Sequence, residues 1–210
     1  IVVDEHGRAQ PAMADWQVLA PNRDRVTLRP QRAPFWNGRL PTSGDVAATY
    51  RSVLDPRRGS PHGGALAHIA RIEVIDRERL DFHLRRADPD FAARLTLGIV
   101  PAERSDDDRL VREPLGSGPF AFAGWRDDGG LLLQRRRDGQ GFALVPVSDP
   151  TMRALKLLRG ETQLLQNDLP AELYRHLDGI DGVDLVQQPG TTFAYLGFNL
   201  DDPWLSRREI

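Results

Sequence analysis

The stretch Pro41-Thr42-Ser43-Gly44-Asp45-Val46 marks the start of the clearest helix in the sequence. Its threonine or serine can accept hydrogen bonds from the first free backbone N–H groups of a helix. Its aspartate lies in the first helical turn, where the helix dipole favours negative charge. Apolar residues then recur at helical spacing until Asp55-Pro56, so the pattern predicts a helix over residues 42–54.

Short strand patterns surround this helix. Residues 15–19 and 26–28 flank a polar turn and predict a hairpin, and residues 72–76 and 80–84 alternate strictly enough to predict paired strands. A helical turn is expected over residues 66–70. Further strands are predicted at 120–122, 131–133, 142–147, 164–165, 183–186 and 193–198, and further helices after Asp149 and over Pro170 to Leu177. Without a regular βαβ repeat, this order indicates a mixed α/β chain.

Composition excludes several classes of protein. The 210 residues are 40% hydrophobic and 28% charged with a net charge of −2, so no bulk attraction to nucleic acid or anionic membrane is expected. The absence of cysteine excludes disulfides, thiolate metal sites and cysteine nucleophiles. Lys156 is the only lysine among 28 basic residues, a bias typical of a GC-rich genome. No apolar run approaches the ~20 residues that span a bilayer.

Each end of the sequence lies within a predicted secondary-structure element. Ile1-Val2-Val3 is typical of an incoming strand, and Arg207-Arg208-Glu209-Ile210 of a helix beginning. We therefore expect the chain to be a fragment of a longer protein.

Motifs for enzymatic chemistry are nearly absent. Gly116-Ser117-Gly118 begins like a dinucleotide-binding fingerprint but lacks the third glycine and the long helix, which favours a structural turn. The histidines show no metal-binding spacing. The sequence therefore predicts no enzyme, no catalytic residue, no metal site and no cofactor. A spatial triad of Ser117 with a histidine and an aspartate stays open as a hydrolase hypothesis.

The order of the short motifs resembles the family 5 extracellular solute-binding proteins, which include oligopeptide-, dipeptide- and nickel-binding proteins. The motifs that carry the resemblance span nearly the whole chain: Ala14-Asp15-Trp16, Val26-Thr27-Leu28-Arg29, Phe35-Trp36-Asn37-Gly38, Leu40-Pro41-Thr42-Ser43-Gly44-Asp45-Val46, Ser60-Pro61, Leu80-Asp81-Phe82-His83-Leu84, Gly116-Ser117-Gly118-Pro119-Phe120, Leu158-Arg159-Gly160-Glu161 and Tyr195-Leu196-Gly197-Phe198-Asn199. Departures from the family pattern include Thr162-Gln163 after Gly160-Glu161 and a short stretch between Arg137 and Asp149.

The resemblance implies a mixed α+β fold of the type II periplasmic-binding architecture. Residues 1–100 would form the small sheet-containing domain of the first lobe, residues 101–199 its core α/β domain, and residues 200–210 the start of the hinge and second lobe. The rest of the second lobe, which closes over the ligand in this family, is expected after Ile210.

The resemblance also implies four ligand-binding positions. His62 follows Ser60-Pro61, where peptide binders often have a tyrosine that lines the ligand cavity. Asn167 lies where the family has a polar ligand contact, and its amide can both donate to and accept from a peptide backbone. Tyr195 and Gly197 lie on the segment that leads to the hinge, and Gly197 lacks the charged side chain that some members have there.

The function implied is that of the substrate-binding component of an ABC-type importer. It would capture a peptide or similar small polar solute between two lobes and deliver it to a membrane permease. The protein would be periplasmic or lipid-anchored outside the cytoplasm, monomeric, and without a nucleic-acid partner. A sensing domain of a transcriptional regulator and, on an unrelated fold, a hydrolase are the alternatives. A nickel or haem ligand stays open because of His62, His68 and His83.

Overall fold

The computed structural model describes residues 1–166, 169–187 and 196–207. The chain divides into two compact units, Ile1–Pro146 and Val147–Ile210. Within the described residues the first unit contains three antiparallel sheets and two α-helices, and the second contains two α-helices. The mixed α/β class predicted from the sequence is confirmed.

Nine strands and two helices build the first unit. The strands are β1 (Val2–Val3), β2 (Ala9–Gln10), β3 (Ala14–Ala20), β4 (Arg23–Leu28), β5 (Ile69–Val74), β6 (Arg79–Leu84), β7 (Phe120–Trp125), β8 (Leu131–Arg135) and β9 (Gly141–Leu144). The helices of the two units are α1 (Ser43–Leu54), α2 (Gly63–Leu66), α3 (Pro150–Leu158) and α4 (Ala171–Leu177).

The largest sheet has the strand order β3-β4-β6-β5. Both predicted hairpins are confirmed, because β3 pairs with β4 and β5 with β6. The two hairpins join through β4 and β6, where Val26 lies opposite Leu80. This central pairing brings together residues far apart in sequence, so local periodicity did not indicate it.

One face of this sheet forms the core of the first unit. Asp24, Val26 and Leu28 alternate as buried residues along β4, which is the period expected for a strand with one covered face. Helix α1 covers that face. The ring of Tyr50 on α1 meets the ring of Phe82 on β6 edge-on, with 5.2 Å between centroids. Burial of such large apolar side chains stabilises the unit by about 25 cal/mol per Å² removed from water.

Helix α1 begins as the sequence predicted. Thr42 is the N-cap, and its side-chain oxygen accepts the backbone N–H of Asp45 while the Asp45 carboxylate accepts the backbone N–H of Thr42 at 2.7 Å. Asp45 is 1% exposed and is also paired with Arg39, 2.6 Å away. Burial would raise the pKa of Asp45, but the hydrogen bonds from Arg39, Ala102 and Thr42 outweigh it and the pKa is lowered.

The other face of the sheet is charged. Asp81 on β6 has a fully buried side chain that lies between two arginines of β4. Arg23 approaches Asp81 Oδ2 at 2.6 Å, and Arg25 approaches Oδ1 at 2.7 Å. The pairing of β4 with β6 is therefore fixed by apolar packing on one face and by a shared carboxylate on the other.

In the second unit the predicted helices are confirmed. The side chain of Asp149 accepts the backbone N–H of Met152 and caps α3, with Pro150 in its first turn. Gly160 follows the helix with φ of +72°, the left-handed conformation typical of a helix end. Helix α4 begins after Pro170, which is its N-cap.

Three predicted elements are wrong. Residues 164–165 and 183–186 have irregular backbone instead of strands, and Leu164 and Val186 are 79% and 88% exposed. These short apolar runs have too few alternating residues to give a strand one buried face. The helical turn expected over residues 66–70 lies earlier, because α2 ends at Leu66 and β5 begins at Ile69. Of the strand predicted at 193–198, residues 193–195 lie outside the described residues and 196–198 are irregular.

Candidate functional site

His62 lies in the connection between α1 and β5. The connection starts with Asp55, whose carboxylate accepts the backbone N–H of Arg57 and caps a short 3₁₀ turn. A reverse turn follows in which the N–H of Gly63 donates to the carbonyl of Ser60 at 3.0 Å. His62 therefore stands at the N-terminal end of α2, and it is exposed.

Close packing of two backbones holds His62 in place. A Cβ added at Gly63 would lie 3.2 Å from the carbonyl oxygen of Val53 in α1, a distance that forces a neighbour to move. Leu66, at the other end of α2, is buried in the core of the first unit. Because glycine lets α2 approach α1 this closely, backbone packing fixes the start of α2 next to His62.

Of the other three predicted ligand positions, the structure describes only one. Asn167 and Tyr195 lie outside the described residues. Gly197 is exposed, with irregular backbone, in the second compact unit. Of the four predicted ligand positions, the structure describes the local packing of His62 alone. That the four positions lie in one cleft stays a prediction.

An apolar cavity of about 620 Å³ in the first unit was not predicted from the sequence. The turn at Gly116-Ser117-Gly118-Pro119 forms one wall, and it is anchored to Trp36 because the indole Nε1 donates to the carbonyl of Gly118 at 3.1 Å. The remaining walls are mostly aliphatic: Ile1, Val2, Ala12, Met13, Ala33, Leu97, Gly98, Ile99, Val100, Leu110, Pro114 and Leu115. Such a surface can hold an apolar group but offers almost no polar chemistry.

A second cavity, of about 670 Å³, belongs to the second unit. Leucines from α3, α4 and the segments that follow them form much of its wall, and Gln163, Tyr174, Asp184 and Gln187 add polar groups. Tyr174 and the two glutamines can donate and accept hydrogen bonds, whereas Asp184 can only accept when ionised. This wall is chemically better suited to a polar solute than that of the apolar cavity.

The geometry gives no support to a hydrolytic triad at Ser117. Its hydroxyl donates to the sulfur of Met13 at 3.7 Å, and within the described part of the chain no imidazole or carboxylate pairs with it. His68 and His83 lie beside Asp88 and Glu73, respectively. In the same described residues no group of three or more histidine, aspartate or glutamate side chains could hold a metal ion.

A family model identifies the chain. The model of the bacterial extracellular solute-binding proteins, family 5 (middle region), matches residues 10–210. The chain belongs to this family. The resemblance that the ordered motifs indicated is thereby confirmed.

Two curated relatives of this family 5 chain are named for peptide binding or peptide transport. The dipeptide-binding protein of Pseudomonas aeruginosa is 24% identical over 195 residues, which cover 79% of this chain and 36% of that protein. The peptide transport periplasmic protein SapA of Salmonella typhimurium is 29% identical over 239 aligned positions, covering 97% of this chain and 43% of SapA. The family 5 chain thus spans well under half the length of these relatives.

Solved structures share its fold, the type II periplasmic-binding architecture. NikZ from Campylobacter jejuni in complex with Ni(L-His) gives a TM-score of 0.80 at 17% identity, covering 94% of this chain and 42% of that one. DppA from Helicobacter pylori in complex with the peptide STSA gives 0.69 at 21% identity, covering 86% and 42%. Among the described residues of the family 5 chain, no helix combines the length and the apolar character needed to cross a membrane.

Proposed function

We propose that this chain is part of the substrate-binding component of an ABC-type importer, and that the complete protein captures a peptide for delivery to a membrane permease. The observation that supports this most is the family match over residues 10–210. Both curated relatives described above are named for peptide binding or peptide transport, so their sequence similarity favours a peptide over other solutes.

The fold alone does not favour one solute. Its neighbours hold ligands as different as a peptide, in DppA, and a nickel–histidine complex, in NikZ, and both are less than 25% identical to this chain. The preference for a peptide therefore rests on sequence similarity and on the chemistry of the expected contacts. In the proposed complex, Asn167 exchanges hydrogen bonds with the ligand backbone, while His62, Tyr195 and Gly197 line the same cleft.

The wider setting belongs to the same proposal. The complete protein works outside the cytoplasm as a monomer, in the periplasm or attached by a lipid, and closure of its two lobes presents the solute to the permease. Residues 1–100 form the small domain of the first lobe, residues 101–199 its core domain, and residues 200–210 begin the hinge and second lobe. A solute-sensing regulator and a hydrolase have no support among the relatives described above.

Native mass spectrometry and calorimetry of the full-length protein with a library of di- to pentapeptides test the proposal. We expect retained or saturably bound peptide. Asn167→Ala and Tyr195→Ala should each weaken the affinity about tenfold, since each removes one hydrogen-bonding or packing contact.

His62→Ala should weaken binding in the same way, whereas His6→Ala is the matched control. His6 is also an exposed histidine of the first unit, with 67% of its side chain accessible, and should leave the affinity unchanged. If no peptide binds, the peptide assignment is wrong, and nickel with histidine and opines become the ligands to titrate next.

A further inference from the structure

A third cavity, of about 630 Å³, lies in the first unit beside α2 and the end of β6. Part of its lining is made of small residues, Gly64, Ala65 and Ala67. Its walls carry basic or titratable side chains: His68, Arg85, Arg86 and Arg94. None of its lining residues that the structure describes is a carboxylate. The volume is in the range of small-molecule sites.

Asp88, the acidic residue that pairs with two of these side chains in the described part of the chain, is already engaged. Asp88 lies 3.0 Å from Nε2 of His68 and accepts a 2.7 Å hydrogen bond from Nε of Arg94. Burial would raise the pKa of Asp88, but the hydrogen bond from Arg94 and the backbone N–H of Asp90 outweigh it and lower the pKa. Asp88 is therefore ionised at neutral pH and fixes Arg94 through Nε.

Arg85 and Arg86 differ from the many arginines of this chain that are paired with a carboxylate. Three other arginines pair with an aspartate two positions away, as in Arg57–Asp55, Arg109–Asp107 and Arg126–Asp128. Within the described residues, no acidic side chain pairs with Arg85 or Arg86. Two positive charges that line one cavity without a paired carboxylate attract an anion by Coulomb's law.

A backbone hydrogen bond fixes Arg85 beside His68. The N–H of Arg85 donates to the carbonyl of His68 at 2.7 Å, directly beyond the last paired residues of β5 and β6. The His68 imidazole is only 10% exposed and packs edge-on against Phe91, with 5.7 Å between ring centroids. His68 is therefore packed into the protein, while Arg85 and Arg86 are exposed.

We propose that this cavity binds a phosphate group. Guanidinium groups match the oxygens of phosphate and carboxylate through paired hydrogen bonds. Three of them surround the cavity, and a carboxylate has only two oxygens to offer, whereas a phosphate has at least three accessible ones. The proposal is independent of solute transport, because neither His62 nor Gly197, the two predicted ligand positions that the structure describes, lines the cavity.

Titration of the full-length protein with inorganic phosphate at low ionic strength tests this. We expect saturable binding that the double substitution Arg85→Ala/Arg86→Ala weakens by about tenfold or more. The matched control is Arg8→Ala/Arg77→Ala, which removes the same charge from two exposed arginines that do not line the cavity. The control should change the affinity less than about twofold.

A second variant fills the cavity without removing charge. A Cβ at Gly64 meets no atom within 4 Å and its backbone needs no positive φ, so Gly64→Leu should fold and reduce phosphate affinity. Sedimentation with phosphatidylglycerol and phosphatidylcholine vesicles identifies the source of the phosphate. Binding of inorganic phosphate without vesicle binding indicates a soluble ligand, and Arg85-dependent binding to phosphatidylglycerol indicates a lipid headgroup. Absence of both, or equal losses in the control variant, overturns the proposal.

Discussion

The carboxylate of Asp45 accepts the backbone N–H of Ala102 at 2.7 Å, across 57 positions of sequence. The same carboxylate is bonded to Thr42 at the start of α1 and to Arg39 before it. One buried side chain thus fixes the helix start to the segment that follows the core of the first unit. A helix cap usually acts locally, and here it also acts as a tertiary crosslink.

We expect Asp45→Ala to destabilise the first unit by about 3–5 kcal/mol, the usual effect of removing one partner of a buried ion pair. The substitution leaves Arg39 and two backbone N–H groups without their acceptor. Urea denaturation followed by circular dichroism measures the change. Asp106→Ala is the control, since 78% of that side chain is exposed and only a surface pair with Arg58 is lost. Equal effects of the two substitutions would show that Asp45 does not crosslink the fold.

Asp81 should make stability depend on pH in the acid range. Hydrogen bonds from Arg25 and Arg23 lower its pKa below the ordinary value of 3.8, against the opposing effect of burial. A group with a lowered pKa in the folded state stabilises above the unfolded value and loses that contribution as the pH falls through the folded value. Asp81→Asn should therefore destabilise by about 3 kcal/mol at pH 7. The difference from the unmodified protein should shrink below pH 3.8, and a difference independent of pH would contradict this origin.

Asp24 should behave in the opposite way. It lies on the core face of β4, 4% exposed, and burial together with the charge of Asp88 raises its pKa above 3.8. A raised pKa means that the ionised form is less well tolerated in the folded protein, so stability falls as the pH rises through the folded value. The change in the free energy of unfolding caused by Asp24→Asn should therefore be more favourable at pH 7 than at pH 3. A loss of stability at pH 7 that exceeds the loss at pH 3 would refute this.

Two neighbouring glycines give a matched test of the α1–α2 contact. Gly63→Ala places a Cβ 3.2 Å from the Val53 carbonyl oxygen, whereas Gly64→Ala meets no atom within 4 Å. Both changes lower the conformational entropy of the unfolded chain, which favours folding by up to about 1 kcal/mol. Thermal unfolding should therefore show Gly63→Ala less stable than Gly64→Ala by about 1 kcal/mol or more, from overpacking. Identical stabilities would indicate that α2 shifts freely.

Much of the fold could be predicted because its signals are local. The cap at Thr42, the alternation along β4 to β6 and the cap at Asp149 are each contained within a few residues. The pairing of β4 with β6 could not be predicted, because the two strands are separated in sequence by α1, α2 and β5 and no local pattern links them. The strands expected at 164–165 and 183–186 were wrong because apolar residues alone do not supply a partner strand.

In the candidate site, too, local features could be predicted and contacts between distant segments could not. His62 was predicted from its place after Ser60-Pro61, and its role in binding stays a prediction; the structure shows only how the glycine at 63 packs next to it. The apolar cavity and the arginine-lined cavity had no signal in the sequence. Their walls come from segments far apart in the chain, such as residues 12–13 and 114–119 in one and residues 64–68 and 85–94 in the other. Only the folded chain brings them together.

The strand order β3-β4-β6-β5 also governs how the chain can be made. While the chain emerges from the ribosome, the β3–β4 hairpin is complete by Leu28, but the partner of its inner edge begins at Arg79. Until then the edge of β4 has unpaired backbone groups and an apolar face, which are the features that promote aggregation. Folding of the first unit is therefore postponed until β6 has been synthesised. Nascent chains that end before Arg79 are the species that most need a chaperone.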